Sequence, residues 1–156
     1  MTKVVATGAF TILHPGHILY LREARKLGDE LIVIVARDRM VERRKLNKFI
    51  PEEQRLEVVR ALKMVDRAVL GDEKDIFKPI TEIKPDVIAL GNDQDFDERE
   101  LKKELEKRGL KTRVVRIKKY WDRGLHSTRE IISRIKNAPQ GKKGERRGCE
   151  EKAHGA

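Results

Sequence analysis

Apolar residues in the first part of the chain fall into two short unbroken runs separated by a stretch of helical period. "KVVATG" ends in Gly8, and "ELIVIVARD" holds six consecutive apolar residues from Leu31 to Ala36. An unbroken, β-branched run predicts a strand covered on both faces, as in a parallel sheet. Between the runs lies "HILYLREARKLGD", with Ile18, Leu21, Ala24 and Leu27 at helical spacing and Gly28 placed as a C-terminal stop. Together these segments predict a βαβ unit.

The alternation continues. "PEEQRLEVVRALKMVD" predicts a helix opened by Pro51, "DRAVLG" a strand, "DIFKPITEIK" a helix with Pro79 near a kink or boundary, and "DVIALG" another strand. "DERELKKELEKRG" sets Leu101 and Leu105 on one face, with Glu98–Lys102 and Glu104–Arg108 at i,i+4 spacing, which predicts a solvent-facing helix. A strand "TRVVRI", a loop "KKYWDRGLH" and a helix "STREIISRI" follow, with Ser127 and Glu130 at capping-box spacing. Strands and helices therefore alternate from Val4 to about Ile135. This order predicts an open parallel α/β sheet of about five strands with helices on both faces.

Composition narrows the picture. A chain of 156 residues with 38% hydrophobic content suits one core. We expect one domain over residues 1–136. Residues 137–156, "NAPQGKKGERRGCEEKAHGA", nearly lack bulky apolar residues and predict a disordered tail. No apolar run reaches membrane-spanning length and "MTKVVATGAF" lacks signal-peptide features, so a cytoplasmic protein without a membrane partner is expected. The lone cysteine, Cys149, offers neither a disulfide framework nor a zinc ribbon. A net charge of +10 favours anionic partners such as nucleotides, polyphosphates or nucleic acid. With only 4% aromatic residues and no RRM- or zinc-finger-like motif, a nucleic-acid-binding protein is the weaker reading.

The candidate chemistry sits in "TGAFTILHPGH", residues 7–17, directly after the first strand. Ligands of doubly wound sheets bind beyond the C-terminal strand ends, where a helix N-terminus offers free N–H groups to phosphate. Gly8 and Gly16 allow close backbone approach, Pro15 presets a turn or first helical position, and His14 and His17 bring two imidazoles to the helix mouth. Imidazole N–H groups there can stabilise charge growing on an α-phosphate under in-line attack. A metal site lacks a nearby third His or Cys ligand, and no GxGxxG dinucleotide loop is present at this turn.

"GAFTILHPGH" resembles the GTFDxLHxGH signature of the HxGH nucleotidyltransferases, which include cytidylyltransferases, pantetheine-phosphate adenylyltransferase and FAD synthases. "KLGDELIVIVARD", "PEEQR", "KPDVIALGNDQDFDE" and "LHSTREI" fall in the family's order, and "ILHPGH", "IPEEQR" and "GNDQDFDE" are most similar to archaeal-type FAD synthases. The resemblance implies a Rossmann-like fold and AMP transfer from ATP to FMN, with release of FAD and pyrophosphate. A divalent cation such as Mg²⁺ is expected to travel with ATP rather than sit in a protein cage. A homodimer is common in the family. A cytidylyltransferase acting on a small phosphorylated acceptor such as glycerol 3-phosphate remains the alternative.

Carried onto this chain, the resemblance makes His14 and His17 the catalytic pair. Ala9, Phe10, His14, Pro15, Gly16 and His17 are implied to lie along the nucleotide. Asp93 would contact the adenosine, Ser127 and Thr128 the phosphates, and Tyr120 the nucleotide. Lys45, in the basic loop "ERRKLNK", and Arg55 would neutralise the triphosphate. Two positions depart from the family pattern: Thr11 stands where Asp is common and Ala9 where Thr is common. In the late loop, Trp121 occupies the column of a family arginine, and Arg123 follows two residues later.

Overall fold

The computed structural model describes residues 1–43, 50–139 and 141. Five strands, β1 (Lys3–Gly8), β2 (Glu30–Val35), β3 (Arg67–Leu70), β4 (Val87–Leu90) and β5 (Arg113–Arg116), form one sheet. Its order is β3-β2-β1-β4-β5 and every pairing is parallel. The chain winds one way from β1 to β3 and the other way from β4 to β5, so the winding reverses between β1 and β4.

Alternate strand residues point to opposite faces, and each face has its own apolar layer. Val4, Ala6, Leu31, Val33 and Val35 pack with Leu21 and Ala24 of α1 (Pro15–Arg25) and with Leu56 and Val59 of α3 (Glu52–Arg60). Val5, Ile32, Ile34, Ile88 and Leu90 pack with Ile80 of α4 (Lys78–Ile83) and with Leu101 and Leu105 of α5 (Glu98–Lys107). The remaining helices are α2 (Asp38–Arg43) and α6 (Thr128–Lys136).

The structure corrects some local expectations and bears out others. Gly28 does not end α1 through a left-handed turn, for only Gly109 and Gly124 among the described glycines have positive φ. Gly28 is instead a site of close approach, because a Cβ there would lie 2.7 Å from the Thr2 carbonyl oxygen. The helix opened by Pro51 stops at Arg60 rather than running to Asp66. Pro79 lies in the first turn of α4, where its missing N–H costs nothing. Glu104 and Arg108 pair as spaced, at 3.2 Å, whereas Glu98 turns to Arg116 at 2.8 Å. Helix α2 begins upstream of the basic loop and takes in its first two residues, Glu42 and Arg43. Val41 of α2 is buried.

Candidate active site

The first turn of α1 is built by its own histidines. His14 is the N-cap residue in extended conformation and Pro15 is the first helical residue. His14 Nδ1 accepts a hydrogen bond from the Gly16 N–H at 3.1 Å, and His17 Nδ1 accepts one from the His14 N–H at 3.3 Å. The rings stack with centroids 3.8 Å apart. An Nδ1 that accepts from a backbone N–H carries no proton, so each neutral ring carries its proton on Nε2. Burial lowers the pKa of both rings, and the neighbouring His14 helps lower His17 to about 3. At neutral pH the loop therefore holds two uncharged imidazoles, each with one N–H to offer.

The floor of the loop is buried. Phe10 has φ of 51°, a left-handed conformation that is costly for an aromatic residue. Its ring is buried and lies 5.3 Å from His17, centroid to centroid. The Phe10 ring thus packs against His17 within the apolar layer. Arg55 is buried too: it donates to the Ala9 carbonyl at 2.6 Å and the Ile50 carbonyl at 3.0 Å, and pairs with Asp38 at 2.9 Å. The guanidinium expected at the triphosphate is engaged in holding the Ala9 backbone against α2. Thr11 is also buried, so the residue replacing the family's acid is turned inward.

Asp93 follows β4, and its charge acts on His14, raising the pKa that burial lowers. Its loop is fastened from two sides. Gln94 Oε1 accepts from the Gly91 N–H at 2.9 Å, while Arg116 of β5 donates to the Gly91, Gln94 and Phe96 carbonyls. Tyr20 of α1 reaches across the sheet and donates to the Ala89 carbonyl at 2.7 Å. Ser127 caps α6, its hydroxyl accepting from the Glu130 N–H at 3.2 Å, and Thr128 is the first residue of that helix. The α6 start abuts the histidine loop, since a Cβ on Gly16 would meet the His126 carbonyl at 3.2 Å. Tyr120 is exposed in the loop before it. Lys45 lies outside the described residues.

On the sheet face opposite α1, a cavity of about 110 Å³ opens beside Thr7, Gly8 and Ala9. Ile34, Ile76, Phe77, Leu90 and Phe96 are among its apolar walls, and Arg37, Asp72 and Gln94 supply polar groups. A helix mouth with hydrogen-bond donors thus shares one loop with an apolar compartment.

Residues 5–134 match the cytidylyltransferase-like family. The chain belongs to that family. Among its cytidylyltransferase-like relatives, the chain is 64% identical over 135 residues to the FAD synthase of Archaeoglobus profundus, covering 86% of each sequence. It is 55% identical over 150 residues to the FAD synthase of Methanoculleus marisnigri, covering 93% of this chain and 99% of that one. A crystal structure from Thermoplasma volcanium, described as a lipopolysaccharide core biosynthesis protein, superposes with TM-score 0.76 at 49% identity. That superposition covers 78% of this chain and 99% of the other. Among the described residues, no helix is long and apolar enough to cross a membrane.

Three residues that fasten these loops, Tyr20, Gln94 and Arg116, escaped the sequence reading. Each bonds a backbone atom distant in sequence, for which no local pattern exists. His126 is the first residue of "HST".

Proposed function

We propose that this protein is an FAD synthase, transferring AMP from ATP to FMN. An oxygen of the FMN phosphate bonds to the α-phosphorus as the bond from that phosphorus to the β-bridging oxygen breaks, and pyrophosphate leaves. The relatives named as FAD synthases support the reading. The observation that carries it is the apolar cavity beside the histidine loop, lined by Ile76, Phe77 and Phe96. Its apolar lining beside the histidine loop favours an acceptor that has an apolar part as well as a phosphate. Glycerol 3-phosphate has no apolar part to fill such a compartment.

In this mechanism His14 and His17 are the catalytic residues. Each donates Nε2–H to the non-bridging oxygens of the α-phosphate as charge grows there, with no covalent intermediate. Neutral rings suit the task, because the proton stays in place throughout. The Ala9, Phe10, Pro15 and Gly16 segment runs along the nucleotide, Asp93 hydrogen-bonds the adenosine, and Ser127 and Thr128 direct helix N–H groups at the phosphates. Tyr120 covers the nucleotide from the loop. Lys45 meets the triphosphate, and Arg55 serves it by holding the loop. A divalent cation enters with ATP as part of the substrate. The reaction is cytoplasmic.

Incubation of the protein with FMN, ATP and Mg²⁺, repeated with other divalent ions, should yield FAD by chromatography. Turnover of CTP and glycerol 3-phosphate with no FAD under any ion would give the assignment to the cytidylyltransferase alternative. Ile76 stands 40% exposed at the cavity, so Ile76→Arg should fold normally. It should raise the KM for FMN about tenfold, with the KM for ATP unchanged.

A further inference from the structure

Three polar side chains, Arg37, Asp72 and Gln94, stand on the wall of the cavity beside the histidine loop. Gln94 is engaged at both ends of its amide, by the Gly91 N–H and the Thr7 carbonyl. Asp72 Oδ2 accepts from the Lys74 and Asp75 N–H groups, each at 2.9 Å, and Oδ1 faces Lys78 at 3.6 Å. Arg37, two residues beyond β2, donates Nε–H to the Gly71 carbonyl at 2.7 Å and Nη1–H to Glu52 at 3.0 Å. A guanidinium carries N–H groups on all three nitrogens, and among the described residues Nη2 makes no hydrogen bond. The Arg37 side chain is 31% exposed, so those remaining donors are open to a ligand.

The place of this guanidinium in the sheet says which part of a ligand it meets. Gly8 is registered with Val35, and the Gly71 N–H bonds the Val35 carbonyl at 2.8 Å, so the three lie in one row. Neighbouring strands are about 4.8 Å apart, which sets Gly71, where Arg37 is tied, about 10 Å from Gly8 at the head of the phosphate loop.

We propose that Arg37 selects the acceptor, its Nη2–H groups donating to a ring carbonyl oxygen at the end remote from the reacting phosphate. The proposal rests on the FAD synthase reading and names what holds the far end of FMN. A neutral carbonyl fits better than the acceptor's phosphate for two reasons. Glu52, at 3.0 Å, already balances the guanidinium charge. A phosphate held beside Gly71 would also lie about two strand spacings from the histidines that must act on its partner. FMN carries its phosphate and its pyrimidine-dione carbonyls at opposite ends of the molecule. The apolar walls shield the bond from water, and an acceptor lacking that carbonyl leaves the N–H groups desolvated without a partner.

FAD formation by the full chain is followed with FMN and with its two thio analogues, in which sulfur replaces one or the other ring carbonyl oxygen. Wild type is compared with Arg37→Met, Arg37→Lys and Glu52→Gln. Sulfur accepts hydrogen bonds weakly, so wild type should show a KM about tenfold higher for one analogue than for FMN. Arg37→Met should raise the KM for FMN about tenfold, leave the KM for ATP unchanged, and treat FMN and that analogue alike. Arg37→Lys should recover part of the discrimination. Glu52→Gln loosens the same strut but leaves the guanidinium, so it should discriminate as wild type does. An unchanged KM for FMN in Arg37→Met, or discrimination lost equally in Glu52→Gln, overturns the proposal. Wild-type protein that uses both analogues as well as FMN overturns it whatever the variants do. Wild-type protein that forms no FAD overturns the flavin reading, and this proposal with it.

Discussion

Gln94 Nε2 donates a hydrogen bond to the Thr7 carbonyl oxygen at 2.7 Å, across the place where β1 and β4 part. The two strands pair only as far as Ala6 and Ala89, while β1 stays registered with β2 through Gly8 and Val35. Beyond Ala6, the Tyr20 hydroxyl and the Gln94 amide take over from the ladder. The sheet thereby opens a crevice at its reversal of winding, with its backbone groups still satisfied. Gln94→Glu puts a carboxylate against the Thr7 carbonyl and removes its shorter side-chain donor, leaving the Tyr20 hydroxyl at 3.4 Å. Stability should fall by about 1–3 kcal/mol in urea unfolding, and the KM for the nucleotide should rise. An unchanged unfolding midpoint would show that the bridge carries no weight.

Gly16→Ala should disable the histidine loop and leave the fold standing. The added Cβ would lie 2.9 Å from His14 Nδ1, so the ring must swing away from the Gly16 N–H that sets its tautomer. We expect kcat to fall by about 10²-fold, as for loss of one oxyanion donor, with a near-normal melting temperature. His14→Ala should match it in rate.

Arg55→Lys separates two roles. Lysine keeps the charge and loses the fork that bonds Ala9, Ile50 and Asp38 together, in a site where the arginine side chain is 1% exposed. Breaking such a buried pair costs about 3 kcal/mol, or roughly 10 °C in melting temperature for a chain of this size. Had Arg55 served the phosphates directly, the melting temperature would hold and only ATP affinity would drop.

His17 makes stability fall in acid. Its folded pKa, about 3, lies below the ordinary 6.5, so beneath 6.5 the unfolded chain binds the proton first. The stabilisation from keeping the ring neutral is present above 6.5 and absent below 3, and the loss by pH 5 is about 2 kcal/mol. His17→Gln should flatten this part of the stability curve, measured by denaturant unfolding from pH 7 to about pH 5.

Element order, the two-sided burial of "LIVIV" and the placing of "HPGH" at a helix mouth are legible along the chain, because periodicity, proline and glycine act over a few residues. The sequence also displays the cap at Ser127, which needs only the residue three positions on. What each polar side chain serves emerges only once the chain is folded. Arg55 in "PEEQR", expected at the triphosphate, is a buried strut because α2, unread in the sequence, brings Asp38 beside it. Phe10 looks like a wall for the nucleotide and becomes a floor under His17, its ring drawn into the apolar layer by a left-handed backbone. Gln94 meets Thr7 from 87 residues away, and Arg116 meets Gly91 from 25. Such bonds depend on which strands become neighbours, and the reversal of winding between β1 and β4 exists only once the whole sheet has formed.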